Sequence, residues 1–305
     1  MTGIDAGPFE GLLAGRARQV EDMLRRLLDG RPQPGEIVRP ERLLQAMRHG
    51  VLNGGKRLRP FLVLESALLF EADPEQALHV AAALEAIHCY SLIHDDLPAM
   101  DDDDLRRGQP TVHRAFDEAS AILAGDALLT LAFDAVTSPE AGIAPVVAVD
   151  LVRALSRAAG MGGMVGGQAL DLQAEQVKPD ENGVITLQAM KTGALIRFAC
   201  EAGAILGKAS ENDRERMIAF GSAIGLAFQL ADDLLDLTSD SSRLGKRAGK
   251  DAAAGKATLP ALHGVDWTRR ELAGLVAQAH ELLEPFGEQA AVLKQAASFI
   301  ANRQN

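Results

Sequence analysis

Apolar residues recur three and four positions apart along most of the chain, and strict alternation is scarce. The pattern therefore predicts helices rather than half-buried strands. Between punctuating prolines and glycines the periodic runs fall at about 8–29, 40–53, 57–71, 74–100, 118–137, 144–177, 185–207, 210–239, 257–284 and 288–303, with a break expected in 144–177 near Gly160 to Gly167. Asp73-Pro74-Glu75 and Ser138-Pro139-Glu140 each read as an N-cap, a proline at N1 and an acidic first turn. Ser210 with Asp213 resembles a capping box. Pro32, Pro34 and Pro40 mark an early loop, and Pro179 to Gly183 a later one. No repeat, low-complexity tract or linker divides the chain, so the expectation is an all-α protein: one domain over 1–305, built as a single large helical bundle.

Composition changes this picture little. With 305 residues and 47% hydrophobic content the chain can bury a large core. A net charge of −11 argues against a nucleic-acid binder, which would show a basic face. Cys89 and Cys200 are too few for a disulfide framework or a Cys-rich metal site. The start lacks a basic segment followed by an apolar one, and no stretch is expected to approach the roughly 18 apolar residues that span a bilayer. The expectation is a reduced, soluble, cytoplasmic protein with no nucleic-acid partner and no stable membrane insertion.

Charge placement changes it more. Residues 95–104, Asp-Asp-Leu-Pro-Ala-Met-Asp-Asp-Asp-Asp, hold six aspartates in ten positions. Ionised carboxylates are very costly to bury unpaired, so an acidic surface loop is the ordinary reading. Yet the largely apolar run Leu84 to His94 leads straight into these acids, and Arg106-Arg107 follows at once. A second group, Gln229, Asp232, Asp233 and Asp236, ends an apolar stripe that includes Ile224 and Phe228. Helical spacing stacks Asp232 on Asp236, with Gln229 one turn earlier on the same side. That places a polar site at the mouth of an apolar pocket.

Oxygen ligands without Cys or paired His motifs point to a hard cation, and Mg²⁺ fits best. Glu85-x-x-His88 raises a di-iron helical site, but that site needs a second such pair, which is absent from the sequence. Basic residues cluster locally. Gly54-Gly55-Lys56-Arg57-Leu58-Arg59-Pro60 sets three cations beside two glycines, where backbone can approach an anion closely, without Walker spacing. Lys191-Thr192-Gly193, Lys246-Arg247 and Gly255-Lys256 add more.

The ordered set GGKRLRP, SLIHDDLPAMDDDDLRRGQPT, GGQALDL, KTGALI, FQLADDLLD, GKRAGKD and GKATLP resembles the trans-isoprenyl diphosphate synthase family, and closely its bacterial farnesyl diphosphate synthases. The resemblance runs from about Leu43 to Leu262 and implies an all-α bundle around a deep cavity, usually a homodimer. It implies that Asp95, Asp101 and Asp232 bind Mg²⁺, with Mn²⁺ as an alternative, while Asp96 and Asp236 orient or assist. Asp233 and Lys191 are counted with the catalytic set. Arg106, Lys191, Thr192, Gln229, Lys246 and Lys256 would hold the allylic diphosphate. Lys56, Arg59, His88 and Arg107 would hold isopentenyl diphosphate, with Arg57 sharing that role.

The implied reaction is prenyl transfer: loss of pyrophosphate from an allylic diphosphate, attack by isopentenyl diphosphate, and loss of a proton. No side-chain nucleophile is required, because positioning and electrostatics carry such chemistry. In the family, residues just upstream of the first aspartates floor the cavity. Tyr90 and Ser91 occupy those positions, and an aromatic Tyr90 favours farnesyl over geranylgeranyl diphosphate. A class I terpene cyclase would have no use for GGKRLRP. A silent partner subunit would have lost aspartates that both motifs here retain.

Overall fold

A computed structural model describes residues 7–242 and 258–302. They fold into two compact units, 1–152 and 153–305.

The first unit begins with α1 (Pro8–Leu27), α2 (Glu41–Val51), α3 (Leu58–Leu69) and α4 (Pro74–Asp95). A two-stranded hairpin follows, β1 (Leu105–Arg106) and β2 (Gln109–Pro110), then α5 (Val112–Ala115) and α6 (Glu118–Thr137). Helix α1 is amphipathic and buries Leu13, Val20, Met23 and Leu24. By contrast α4 buries thirteen of its twenty-two residues, as a helix with apolar residues on most sides must. Asp73 caps α4, its carboxylate accepting from Glu75 N (2.9 Å) and Gln76 N (3.0 Å). Small residues let α6 lie close against α4: Ala121, Ala124, Gly125, Ala132 and Ala135 are all buried. A Cβ on Gly125 would stand 2.1 Å from His94 Nε2, so no larger residue fits without moving that ring. Each fully buried Leu, Ile or Phe here, such as Leu84, Ile87 and Leu128, contributes about 1.5–3 kcal/mol.

Helix α7 (Pro145–Ala159) carries the division between the units. The second unit continues with α8 (Met164–Ala174), α9 (Glu181–Gln188), a π-turn at Ala189–Gly193, α10 (Ala194–Leu206) and α11 (Glu211–Ser242). After the undescribed residues come α12 (Leu259–His263), α13 (Val265–Leu283), a 3₁₀ turn and α14 (Ala291–Asn302). Helix α10 buries eleven of its thirteen residues and packs along α11. Ser210 accepts from Asp213 N at 3.1 Å and its hydroxyl donates to Asp213 Oδ2 at 2.7 Å, in keeping with the capping-box reading.

The all-α expectation holds, and four local expectations change. Helix α4 stops at Asp95 instead of Met100, because Pro98 disfavours helix at Leu97 and the acidic run folds back on itself. Ser138-Pro139-Glu140 starts only a 3₁₀ turn, Pro139–Ala141, which Gly142 (φ 63°) ends. The Pro179–Gly183 loop is shorter than expected, since Asp180 caps α9 through Gly183 N at 2.8 Å. Finally, two helices do reach spanning length and apolarity: α6, with a window of mean hydropathy 1.6, and Glu211–Leu237 of α11, at 1.4. In α6 that apolarity serves packing on α4. Cys89 and Cys200 are buried free thiols.

Candidate active site

The six-aspartate segment is pinned by its own backbone. Asp101 N donates to Asp95 O (2.8 Å), Asp102 N to Leu97 O (3.1 Å) and Asp103 N to Asp96 O (3.2 Å). Asp102 takes a left-handed φ of 51°, which a short carboxylate side chain tolerates better than most. The result joins Asp95 and Asp101 at the ends of one closed loop. From there the chain enters the β1–β2 hairpin, whose two-residue turn is Arg107-Gly108 with φ 52° and 76°. Positive φ at both positions is what a tight hairpin of this twist requires.

That hairpin sends the two arginines to different tasks. Arg106 returns to Asp96, its Nη2 and Nε donating to Oδ1 at 2.6 and 2.8 Å and Nε also reaching Oδ2 at 3.0 Å. Burial pushes the Asp96 carboxyl above its ordinary value, against the pull of Arg106. Burial also works against the Arg106 charge, but the bonds to Asp96 outweigh it and raise its pKa. Arg107 instead reaches the GGKRLRP loop, donating to Asn53 Oδ1 (3.0 Å) and to the Gly54 carbonyl. Gly55 takes φ 121°, a left-handed conformation that strains any residue with a side chain, and the Arg107 guanidinium lies against its bare Cα.

Within GGKRLRP the three cations separate. Lys56 is exposed and Arg59 is half-buried beside His88 of α4, with Nη1 to Nε2 at 3.4 Å. Burial and the surrounding arginines hold His88 well below the usual histidine value, so its ring is neutral at pH 7. Arg57, expected to share the diphosphate, points into the core instead, its side chain fully buried against Glu85. Glu85, which had suggested a metal site, has this arginine as its partner. Arg59, His88 and Arg107 therefore meet at one place, and Arg57 lies behind them.

The second acidic motif is positioned by glycines. A Cβ on Gly221 would meet Arg197 Cα at 2.7 Å and one on Gly225 would meet Gly193 Cα at 3.1 Å, so α11 lies close to α10 and the π-turn. One turn on, Gln229 Oε1 accepts from Thr192 Oγ1 (3.1 Å) and its amide donates to Asp233 Oδ1 (2.8 Å). Gln188 donates to Asp233 Oδ2 at 2.7 Å. Gln229, expected on the Asp232 side, thus bonds to Asp233. Asp232 is half-buried and Asp236 is exposed.

Lys191 sits on the π-turn and pairs with Asp171 of α8, Nζ to Oδ2 at 2.5 Å. A Cβ on Gly167 would be 2.2 Å from Lys191 N, so α8 rests on the backbone of the turn itself. Asp171 is a site residue that sequence reasoning did not single out. The signal lay in GGQALDL, where Asp171 follows Gly167 by one turn. Tyr90 is buried and edge-on to His94 at 5.8 Å, and burial with the nearby Asp95 charge pushes its hydroxyl up to about 12. Ser91 is half-buried and donates to His88 O at 2.8 Å. Lys246 and Lys256 lie outside the described residues.

The donor set fits a hard divalent cation. Among the described residues no three His, Cys, Asp or Glu side chains converge as a complete metal cage. Mg²⁺ needs none, since it keeps several waters and binds through one or two carboxylates plus substrate phosphate. Asp95, Asp101 and Asp232 offer carboxylates of that kind.

An all-helical protein with two aspartate motifs and separate clusters of cations is a protein built to handle organic diphosphates. The chain belongs to the polyprenyl synthetase family, whose profile matches residues 40–298. It is 44% identical over 273 residues to the farnesyl diphosphate synthase of Escherichia coli K12, covering 86% of this chain and 89% of that one. It is 43% identical over 274 residues to the chloroplastic geranylgeranyl pyrophosphate synthase 9 of Arabidopsis thaliana, covering 88% and 76%. An FPP/GFPP synthase crystal structure from Zymomonas mobilis superposes with a TM-score of 0.85 at 43% identity, over 97% of this chain and 99% of that one. The protein is accordingly a trans-prenyl synthase, a transferase of isoprenoid biosynthesis that uses isopentenyl and allylic diphosphates.

Proposed function

We propose that this prenyl transferase extends dimethylallyl and geranyl diphosphate with isopentenyl diphosphate, and that its main product is farnesyl diphosphate. The observation that carries the product is Tyr90, a buried aromatic within one and a half turns of Asp95 on α4. Geranylgeranyl diphosphate is the second reading, favoured by relatives named for that product. Tyr90→Ala separates the two by product chromatography with each allylic primer and labelled isopentenyl diphosphate. A shift from fifteen to twenty carbons supports Tyr90 as the floor. An unchanged product from a folded variant removes it.

In this reading Arg59, His88 and Arg107, with Lys56, bind isopentenyl diphosphate directly. Lys191 and Thr192 bind the allylic diphosphate, and Asp171 and Gln229 hold them in place for it. Asp95 and Asp101 in the first motif, and Asp232 in the second, would bind divalent ions, Mg²⁺ or Mn²⁺, which would supply Lewis-acid stabilisation of charge on the leaving pyrophosphate. Turnover should vanish in excess chelator and return with Mg²⁺; full turnover under chelation would end this reading.

A homodimer is part of the proposal. Helix α6 leaves Ile122 at 45% and Leu123 at 56% exposure, an apolar face suited to a second copy. Sedimentation analysis should give twice the 32.3 kDa chain mass; a monomer at micromolar concentration would refute it.

A further inference from the structure

We propose that the buried Arg57–Glu85 ion pair is a positioning device for isopentenyl diphosphate, setting the cation loop against the turn of α4 that bears His88. The proposal rests on the reading of Lys56, Arg59, His88 and Arg107 as that subsite.

Arg57 takes a left-handed φ of 51°, which turns its side chain inward while Lys56 remains exposed. Inside, its guanidinium joins three helices. Nη1 donates to Glu85 Oε1 of α4 at 2.5 Å, and Nη2 to the carbonyl of Val51, the last residue of α2, at 2.5 Å. Nη2 also lies 3.4 Å from Glu21 Oε1 of α1. The Val51 carbonyl is one that a helix end leaves without an intrahelical partner. Glu85 and His88 are one turn apart on α4, so the loop docks on that turn twice, through Arg57 to Glu85 and through Arg59 to His88.

Charge points the same way. Burial lowers the pKa of Arg59, and Glu85 is the foremost group opposing it. Arg107 is lowered by burial and by Arg57, and Glu85 opposes that too. Glu85, with Glu21 beside Arg57, thus offsets repulsion among the three guanidinium groups before any anion arrives. An apolar contact could anchor a loop as firmly, because buried ion pairs add little net stability over well-packed apolar residues. What it could not do is balance those charges while fixing a fork-shaped geometry.

The test is the double variant Arg57→Met/Glu85→Met, with Arg59→Ala as the control for the subsite. The melting temperature of the double variant should lie near that of the wild type. Its KM for isopentenyl diphosphate should rise about tenfold or more, with the allylic KM changed by less than about twofold. Arg59→Ala should raise the same KM. A folded double variant with wild-type KM, beside an Arg59→Ala variant with raised KM, overturns the positioning role and leaves the subsite standing. An unchanged KM in Arg59→Ala overturns the subsite reading itself. If the double variant does not fold, Arg57→Lys keeps the charge but lacks the planar fork that reaches Glu85 and Val51 O from two separate nitrogens. It should show the same KM split, and a wild-type KM there overturns the proposal.

Discussion

The two acidic motifs solve one problem with different chemistry. Each begins with an Asp-Asp pair whose second member is buried and clamped while the first is half-buried. In the first motif the clamp on Asp96 is a charge, the Arg106 guanidinium carried back by a tight hairpin. In the second, Asp233 is gripped by two neutral amides, Gln188 and Gln229. A carboxylate fixed by an opposite charge adds no net negative charge to its surroundings. The amides that hold Asp233 bring no counter-charge of their own. The clamped aspartates thus orient the motifs, and the proposed function assigns the half-buried first aspartates, Asp95 and Asp232, to the metal.

The comparison breaks most visibly in turnover. Asp95→Ala and Asp232→Ala should each lower kcat by about a thousandfold or more, roughly 4 kcal/mol of barrier, with little change in melting temperature. Steady-state rates with saturating substrates measure this. A near-normal rate in one variant would show that the motifs do not share the division of labour drawn here.

Next in size is Gly167→Ala. Its Cβ would press on the backbone of Lys191, which no side-chain rotation can relieve, so about 3 kcal/mol of stability should be lost in denaturant unfolding. Gly125→Ala should cost less, about 1–2 kcal/mol, because there the obstacle is the His94 ring. Equal costs would mean that the π-turn yields as readily as a ring does.

The clamps themselves come third. Asp96→Asn strands the guanidinium of Arg106, which retains only 26% exposure, and should cost about 2 kcal/mol. Asp233→Asn keeps one acceptor for two amide donors and should cost about 1 kcal/mol. Chemical denaturation of both variants measures the difference, and the reverse order would mean that the neutral clamp is the stronger one.

Much of this was legible in the sequence because it is local. Helical periodicity marked α1, α2, α3 and α6 to within about two residues, and Asp73 announced the start of α4. The motifs also pointed to residues that the structure brings into contact, Arg59 beside His88 and Thr192 beside Gln229. What stayed hidden depends on backbone direction or on distant pairing. Nothing local says that Arg57, between Lys56 and Arg59, turns inward, since that needs a left-handed φ and a carboxylate 28 residues away. The hairpin that separates Arg106 from Arg107 is two residues per strand, too short for any alternation to register. Gly167, whose bare Cα lets α8 lie on the π-turn under Lys191, shows its purpose only once that packing is in place.

The smallest effect concerns pH, and it sharpens the same contrast. Around the first motif stand arginines and a histidine that burial and those arginines hold neutral, whereas amides, which do not titrate, grip Asp233. His88 in the folded protein has a pKa well below 6.5, so between those values the unfolded chain binds more protons than the folded one. Stability should therefore fall as pH drops below about 6.5, by at most about 1.4 kcal/mol per pH unit for this one group, until the folded pKa is passed. Buried His79, also lowered by burial, adds to the same slope. Asp96 acts oppositely: burial raises its pKa, so stability is lost as pH climbs above 3.8 through its folded value. Urea midpoints of the substrate-free protein between pH 5 and 7 isolate the histidine component, and His88→Gln should flatten the slope without abolishing the His79 share. If the slope is unchanged in His88→Gln, the ring titrates in the folded protein as it does in the unfolded chain. The cation cluster would then take up one more positive charge beside Arg59 as pH falls through about 6.5, instead of excluding it.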